Sequence, residues 1–418
     1  MQSQPRGELK GGEGPRLPTA TGRWEKSVIR EPAAQPDQRP EPDEPVNPDG
    51  PHRWHRYVSI LSRLVVMARV FLRHRRYGQF ALWAFAGPLA FVITRFFLWL
   101  DTIVYPALRR MTLAEPVFII GHPRSGTTFL QQQFHHTGKA SMFRTWELMF
   151  PSLTQRRFFS PVISLLRQLG LEQLRGADTG HEVTLDGVEE DEAIFLHRLD
   201  TETMTFVCPW LLVDDDVADF WLHVGNMGTP VTRGTVRFYE DCLKRQLIHT
   251  GKPHVVAKCT PSVFRLPEIM RRFPDARIIY VFRDPEETIR SYLAMHERYV
   301  GSSLSPKEAQ TYFQRKYDWG VSLYTTFEAV KHTVPEDQLL ILPFTSLIEQ
   351  PEETLKVVLE FSRIDHPGVT MGQSRRRRKK HRNPPLDNFG LSPEQIGTDL
   401  AFLRRRYNRR LRKRWTSL

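Results

Sequence analysis

The sequence predicts an α/β fold in which a central parallel sheet is flanked by helices and preceded by an N-terminal helical segment that associates with membranes. Three observations carry that prediction. Short apolar runs near 117–120, 142–146, 254–258, 277–282 and 338–342 alternate with helix-length segments, the pattern of a parallel sheet with helices on both faces. Two of these runs lead into strand–loop–helix stretches rich in anion-binding residues. An arginine-rich, apolar segment between residues 57 and 105 precedes them all.

In chain order, residues 1–50 are rich in Pro, Gly and charge, a composition that predicts disorder. Residues 51–110 follow as a basic helical anchor. Tyr57, Ile60, Leu61, Leu64, Val65, Ala68, Phe71 and Leu72 form a helical stripe, with Arg56, Arg63, Arg69, Arg73 and Arg76 gathered opposite. Phe80 to Thr94 is then uncharged, interrupted by Gly87-Pro88 and followed by Arg95 and Phe-Phe-Leu-Trp-Leu. A spanning helix needs about 20 apolar residues, so residues 57–105 predict a monotopic anchor. A helical cap packed on the chain's own core and a single tilted span are the competing readings.

The stretch EPVFIIGHPRSGTTFLQQQF, Glu115 to Phe134, reads as a buried strand, a glycine-bracketed turn and a helix. Backbone N–H groups at the helix start, with the hydroxyls of Ser125, Thr127 and Thr128, make an anion cradle. The phosphate-loop pattern G-x-x-x-x-G-K-[ST] is met at Gly121 and Gly126, but Thr127 stands where the lysine belongs. Arg124 is the cation inside the loop. An ordinary glycine turn would not require Arg-Ser-Gly-Thr-Thr together. A second strand–loop–helix, Phe273 to Tyr299, carries Arg283-Asp284-Pro285 at its turn and Ser291 on the helix. By itself Arg-Asp-Pro is equally a salt-bridged turn. With the first loop, it predicts a nucleotide held at two anionic points.

These residues resemble a known family. HPRSGTTFL is similar to the 5′-phosphosulfate loop, and VFRDPEETIRSY to the 3′-phosphate motif, of P-loop sulfotransferases that use 3′-phosphoadenosine 5′-phosphosulfate (PAPS). HEVTLDGVEEDEAIF (181–195), VVAKCTPSVFRLPEIMRRFPDARII (255–279), LILPFTSLIEQPEETLKVVLEF (340–361) and NFGLSPEQI (388–396) fit the large bacterial-type branch. The resemblance covers about residues 115–400, so that 111–400 reads as a P-loop-like sulfotransferase domain and 401–418 as a basic tail. It implies that Arg124, Ser125, Gly126, Thr127, Thr128, Arg283 and Ser291 hold PAPS, with Arg124 steadying the bridging oxygen of the leaving bisphosphate. It also accounts for the absent lysine. A sulfuryl group carries less charge than a terminal phosphate and needs no metal, and in-line transfer relies on positioning and electrostatics. The branch usually has Pro before its Glu-Glu-Asp run, whereas Val188 stands here, so no catalytic role is carried onto 189–191.

Transfer needs a base for the acceptor hydroxyl. Ser141 to Pro151 reads as strand then turn, which would let Glu147 face the cleft with a burial-raised pKa. Its structural alternative is an ion pair with Arg144. His181 is the second candidate, although a lone histidine is more often a surface or packing residue. Lys258, ending an apolar run, would stabilise the sulfuryl oxygens, an assignment that leans on the resemblance.

Charge is uneven. Residues 375–418 hold fifteen Lys or Arg against three acids, and 51–110 hold ten Arg against Asp101 alone. Two basic flanks around a less basic catalytic region argue for anionic lipid rather than nucleic acid as partner. Three cysteines give no disulfide framework, and the sequence lacks N-x-[ST] sequons and an N-terminal apolar leader. The expectation is a cytoplasmic active site on the membrane's inner face, with a hydroxyl-bearing, amphiphilic acceptor. A P-loop kinase and a non-catalytic basic adaptor on the same fold are the alternatives.

Overall fold

The computed structural model describes residues 59–175, 183–222, 225, 230–365, 383–403 and 407. Residues 1–50, His181 and most of the basic tail lie outside them. Among the described residues, the central sheet has five parallel strands. They are β1 (Val117–Gly121), β2 (Ala140–Ser141), β5 (His254–Lys258), β6 (Arg277–Phe282) and β7 (Leu339–Pro343), in the order β2-β5-β1-β6-β7. β3 (Gln173–Arg175) and β4 (Val183–Thr184) form a separate antiparallel pair.

β1, at the centre, is buried along its whole length, as is β6. This is why both read as continuous apolar runs rather than alternating ones. Core clusters occupy both faces of the sheet. Phe118, Ile120 and Ile278 face one, and Val117, Ile119 and Ile279 the other.

The run expected as a strand over 142–146 departs from expectation. β2 ends at Ser141, and a short helix occupies Thr145–Met149. The cause is local. Glu147 stands at the third helical position and its carboxylate accepts the Arg144 backbone N–H at 2.9 Å, half of a capping box that starts the helix. The Ser305 box and Pro306 do begin a helix, Pro306–Val330, and Ser392 caps Pro393–Asp399.

The N-terminal segment forms helices α1 (Ile60–Arg73) and α2 (Tyr77–Val104). α1 packs through Val66, Met67, Val70 and Phe71, which are buried in the main core; of the expected stripe only Phe71 is among them. Its arginines do not form one solvated face. Arg63 is buried and donates to the Arg198 and Leu199 carbonyls, while Arg73 pairs with Asp214 and Asp216. One side of α1 is thus fastened to the domain, while Leu61, Val65 and Leu72 of the expected stripe stay exposed.

α2 runs unbroken through Gly87-Pro88 and Arg95, about 42 Å long. Among the described residues it is the one helix long and apolar enough to cross a membrane.

Candidate active site

The loop after β1 is built by two glycines that nothing larger can replace. Gly121 has φ 146°, and a Cβ on it would lie 2.7 Å from the Val281 carbonyl oxygen of the neighbouring strand. Gly126, the residue before helix α3 (Thr127–His136), has φ 106°, and a Cβ on it would run into the Phe344 ring. Glycine supplies the left-handed turn and the close approach together. The turn leaves the first N–H groups of α3 without intrahelical acceptors. Beside them the Ser125 hydroxyl is buried with no partner among the described residues, a cradle suited to an anion. Below the loop, His122 is buried against Tyr324 and Tyr292, its ring nitrogen Nδ1 2.7 Å from the Pro123 carbonyl. Because that partner only accepts, Nδ1 carries the proton. Burial pulls the imidazole down to about 4, so this floor is neutral.

The second loop meets the first. β1 and β6 pair through Gly121 and Val281, which brings both strand ends to one rim of the sheet. Asp284 caps helix α6 (Pro285–Val300) by accepting the Glu287 N–H at 2.8 Å. Arg283 donates to the Arg124 carbonyl at 3.2 Å, pairs with Glu287 at 3.1 Å and lies over the Phe344 ring. Arg124 Nε donates to Ser291 Oγ at 3.2 Å. Arg124, Arg283 and Ser291, far apart in sequence, thus share one corner, outside the carboxyl ends of parallel strands where open α/β sheets bind ligands.

Lys258 ends β5 on the other side of β1. Almost wholly buried, it donates to Thr128 Oγ1 at 3.0 Å and pairs with Glu190 Oε2 at 3.2 Å. The other Glu190 oxygen accepts the Thr260 N–H at 2.8 Å and the Thr260 hydroxyl. Local structure aims this acid. Val188 bridges Arg144 in antiparallel fashion, Glu189 N–H donates to the Phe143 carbonyl, and Gln131 donates to the Glu189 carbonyl. Asp191 points the opposite way, into the core, accepting Tyr239 OH at 2.6 Å. Burial pushes its carboxyl up to about 8.

Glu190 is therefore an acid at the site that sequence reasoning passed over. The Glu-Glu-Asp run was visible, but Val188 in place of Pro kept a role from being assigned, and the β-bridge at Val188 supplies the needed local geometry.

Glu147 does not face this rim. It is buried, and its oxygens are taken by the Arg144 N–H, by Gln246 at 2.8 Å and by His249 at 3.1 Å. Burial alone would raise its carboxyl. The His249 bond, the nearby Arg156 charge and the Arg144 and Gln246 bonds outweigh that and hold it below the usual range, opposite to the expected direction. Among the described residues, no cluster of three or more His, Cys, Asp or Glu side chains could hold a metal ion.

The fold is that of an α/β protein with an anion cradle at the carboxyl ends of its parallel strands. The sulfotransferase family profile matches residues 116–368, and the chain belongs to that family. Relatives from Mycobacterium bovis and Mycobacterium tuberculosis, named omega-hydroxy-beta-dihydromenaquinone-9 sulfotransferase Stf3, are 23% identical over 377 residues, covering 82% of this chain and 89% of theirs. The fold is shared with sulfotransferase STF9 of Mycobacterium avium (TM-score 0.58, 16% identity, 74% of this chain and 81% of that one). It is also shared with sulfotransferase STF1 of Mycobacterium tuberculosis (TM-score 0.54, 16% identity, 84% and 89%).

Proposed function

We propose that this chain moves a sulfuryl group from PAPS to the hydroxyl, less favourably the amine, of an amphiphilic acceptor at the cytoplasmic face of a membrane. In this reading Arg124, the α3 N–H groups and the hydroxyls of Ser125, Thr127 and Thr128 hold the 5′-phosphosulfate, while Arg283 and Ser291 hold the 3′-phosphate. Glu190 takes the acceptor proton. The freed oxygen attacks sulfur in line as the bond to the bridging oxygen breaks, and the 3′,5′-bisphosphate leaves. Lys258 and Arg124 offset charge on the sulfuryl and bridging oxygens. No metal is required in this scheme.

The observation that carries the reading is the Thr128–Lys258–Glu190 chain beside the glycine loop, where a cation and a partly exposed carboxylate flank one anion cradle. The acceptor class is supported by the relatives whose name specifies a hydroxylated dihydromenaquinone, a lipid, and by the uncovered apolar surface of α2. Anionic lipid is the favoured surface and nucleic acid the disfavoured one.

The deciding experiment is transfer of labelled sulfate from PAPS, without ATP or metal, to lipid extracts, with the products identified by mass spectrometry. Label in a lipid product supports the reading. ATP-dependent phosphorylation would support a kinase instead. Membrane binding without transfer, and without stabilisation by 3′,5′-bisphosphate, would leave a non-catalytic adaptor.

A further inference from the structure

Helix α5 (Leu153–Gln168) is apolar on two sides, and the domain uses only one of them. Leu153 and Ile163 are buried inward. Outward, Phe158, Val162, Leu165 and Leu169 recur at i, i+4, i+7 and i+11, with Phe158 65% and Leu165 52% exposed. An ordinary surface helix turns polar residues to water. This stripe adjoins the uncovered face of α2. The Phe158 and Phe97 rings are 5.5 Å apart, and the Thr154 hydroxyl donates to the Phe97 carbonyl.

α2 itself is fastened lengthwise. Trp83 packs on the core, Gly87 lies against Leu64, Arg95 sits over Phe238, and Leu98 and Asp101 are buried. Asp101 accepts the Leu153 and Thr154 N–H groups, the Thr154 hydroxyl and Arg245 Nε at 2.7–3.0 Å. The seam from 83 to 101 runs about 27 Å, close to the hydrocarbon thickness of a bilayer. A spanning α2 would therefore pull the domain into lipid.

We infer that α2 and α5 form one two-helix platform lying in the plane of an anionic leaflet, with the stripes of both helices inserted. The inference rests on the membrane reading above and adds α5 to it. Charge selects this occupant. Arg75 before α2, and Arg109 and Arg110 after it, are exposed, while the one acid between residues 74 and 114, Asp101, is buried. Both ends of the helix thus suit headgroup level, whereas a spanning helix would send its two ends to opposite leaflets. Arg95, the cation in mid-helix, is turned to the domain and leaves the outer face uncharged.

The native cysteines are all buried, so single labelling sites can be introduced in the full-length chain. An environment-sensitive fluorophore at Phe85→Cys on α2, Leu165→Cys on α5, and Glu353→Cys beyond the far edge strand would be read with phosphatidylglycerol/phosphatidylcholine vesicles. The expected result is a blue shift, quenched by brominated lipid, at 85 and 165 but not at 353. Phe158→Asp/Leu165→Asp should weaken vesicle partitioning at least about tenfold, with thermal stabilisation by 3′,5′-bisphosphate retained as proof of folding. Insertion at 85 alone would overturn the platform while sparing an α2 anchor. Neither site inserting, with a dimer that shields both, would assign the face to a second copy and overturn it outright. PAPS-dependent transfer is measured separately in detergent, so its failure would count against the proposed reaction and not against the platform.

Discussion

Two carboxylates on one side of the sheet show how alike residues come to do different work. Glu147 lies below the rim, with each oxygen satisfied by protein donors and a helix start resting on it. Glu190 lies at the rim, bonded to Thr260 and facing Lys258, with a quarter of its side chain still open to solvent. A carboxylate whose partners are all fixed stabilises the fold, and accepting a proton would cost it those bonds. One that shares its site with a single cation and an open side can exchange a proton with a substrate. The two acids are thus separated by what else their oxygens must do.

The sharpest way to break the contrast is to neutralise the rim acid. Glu190→Gln should keep bisphosphate affinity within a few-fold and lose roughly 10²–10⁴-fold in turnover, measured as labelled sulfate transferred per enzyme. Turnover near that of the parent would remove Glu190 from the reaction.

A smaller effect is expected where the two loops meet. Arg283→Ala removes a charge-assisted contact and should cost about 1.5–3 kcal/mol of 3′,5′-bisphosphate binding by calorimetry. The deficit should exceed that for ATP, which has no 3′-phosphate. Equal losses for both nucleotides would place Arg283 away from the 3′ position.

The floor of the loop offers a pH test. His122 is held neutral down to about 4, while in the unfolded chain it titrates near 6.5. As pH falls from 7 to 5 the unfolded state gains a proton that the folded state refuses, so this residue lowers stability by about 2 kcal/mol over that range. His122→Asn removes the term. The unfolding free energy of the variant relative to wild type should improve by that amount between pH 7 and 5, read from denaturant titrations. A flat difference would mean that His122 takes up its proton in the fold as it does in the unfolded chain.

Much of this architecture was legible because the chain states it locally. β1, β6 and their loops are contiguous, and Gly121, Gly126, Arg124, Arg283 and Ser291 announce a two-point anion site without tertiary information. Their meeting through Arg124 and Ser291 follows from β1 and β6 being neighbours. The acid proposed as the base was not legible in the same way. Glu190 reaches Lys258 only because Val188 bridges Arg144, a pairing across more than forty residues that no local pattern encodes. Thr145–Met149 was misread for a related reason, since the capping box at Arg144 and Glu147 lacks the usual Ser or Thr at its first position. α1 shows the limit of periodicity. The stripe read from the spacing shares only Phe71 with the buried face of Val66, Met67, Val70 and Phe71, because the helix is turned by Arg63 and Arg73 reaching Asp200, Asp214 and the Leu199 carbonyl, which lie well over a hundred residues away.

The smallest expected effect falls on the buried acid, and it tests the contrast from the other side. Glu147→Gln keeps the shape of the side chain, but its new N–H₂ must face the Arg144 N–H, the Gln246 amide or His249, each placed to donate to a carboxylate. One bond is lost and the compensating charge near buried Arg156 goes with it, for a cost of about 1–2 kcal/mol. Because burial and these partners together hold the Glu147 carboxyl below its ordinary range, its stabilisation is present above the unfolded pKa near 4.5 and fades as pH falls through the folded value. The variant should therefore be less stable than wild type at pH 7, with the gap narrowing in strong acid. The fraction that remains folded should turn over at the wild-type rate. A stable Glu147→Gln protein that has lost turnover would exchange the roles of the two carboxylates.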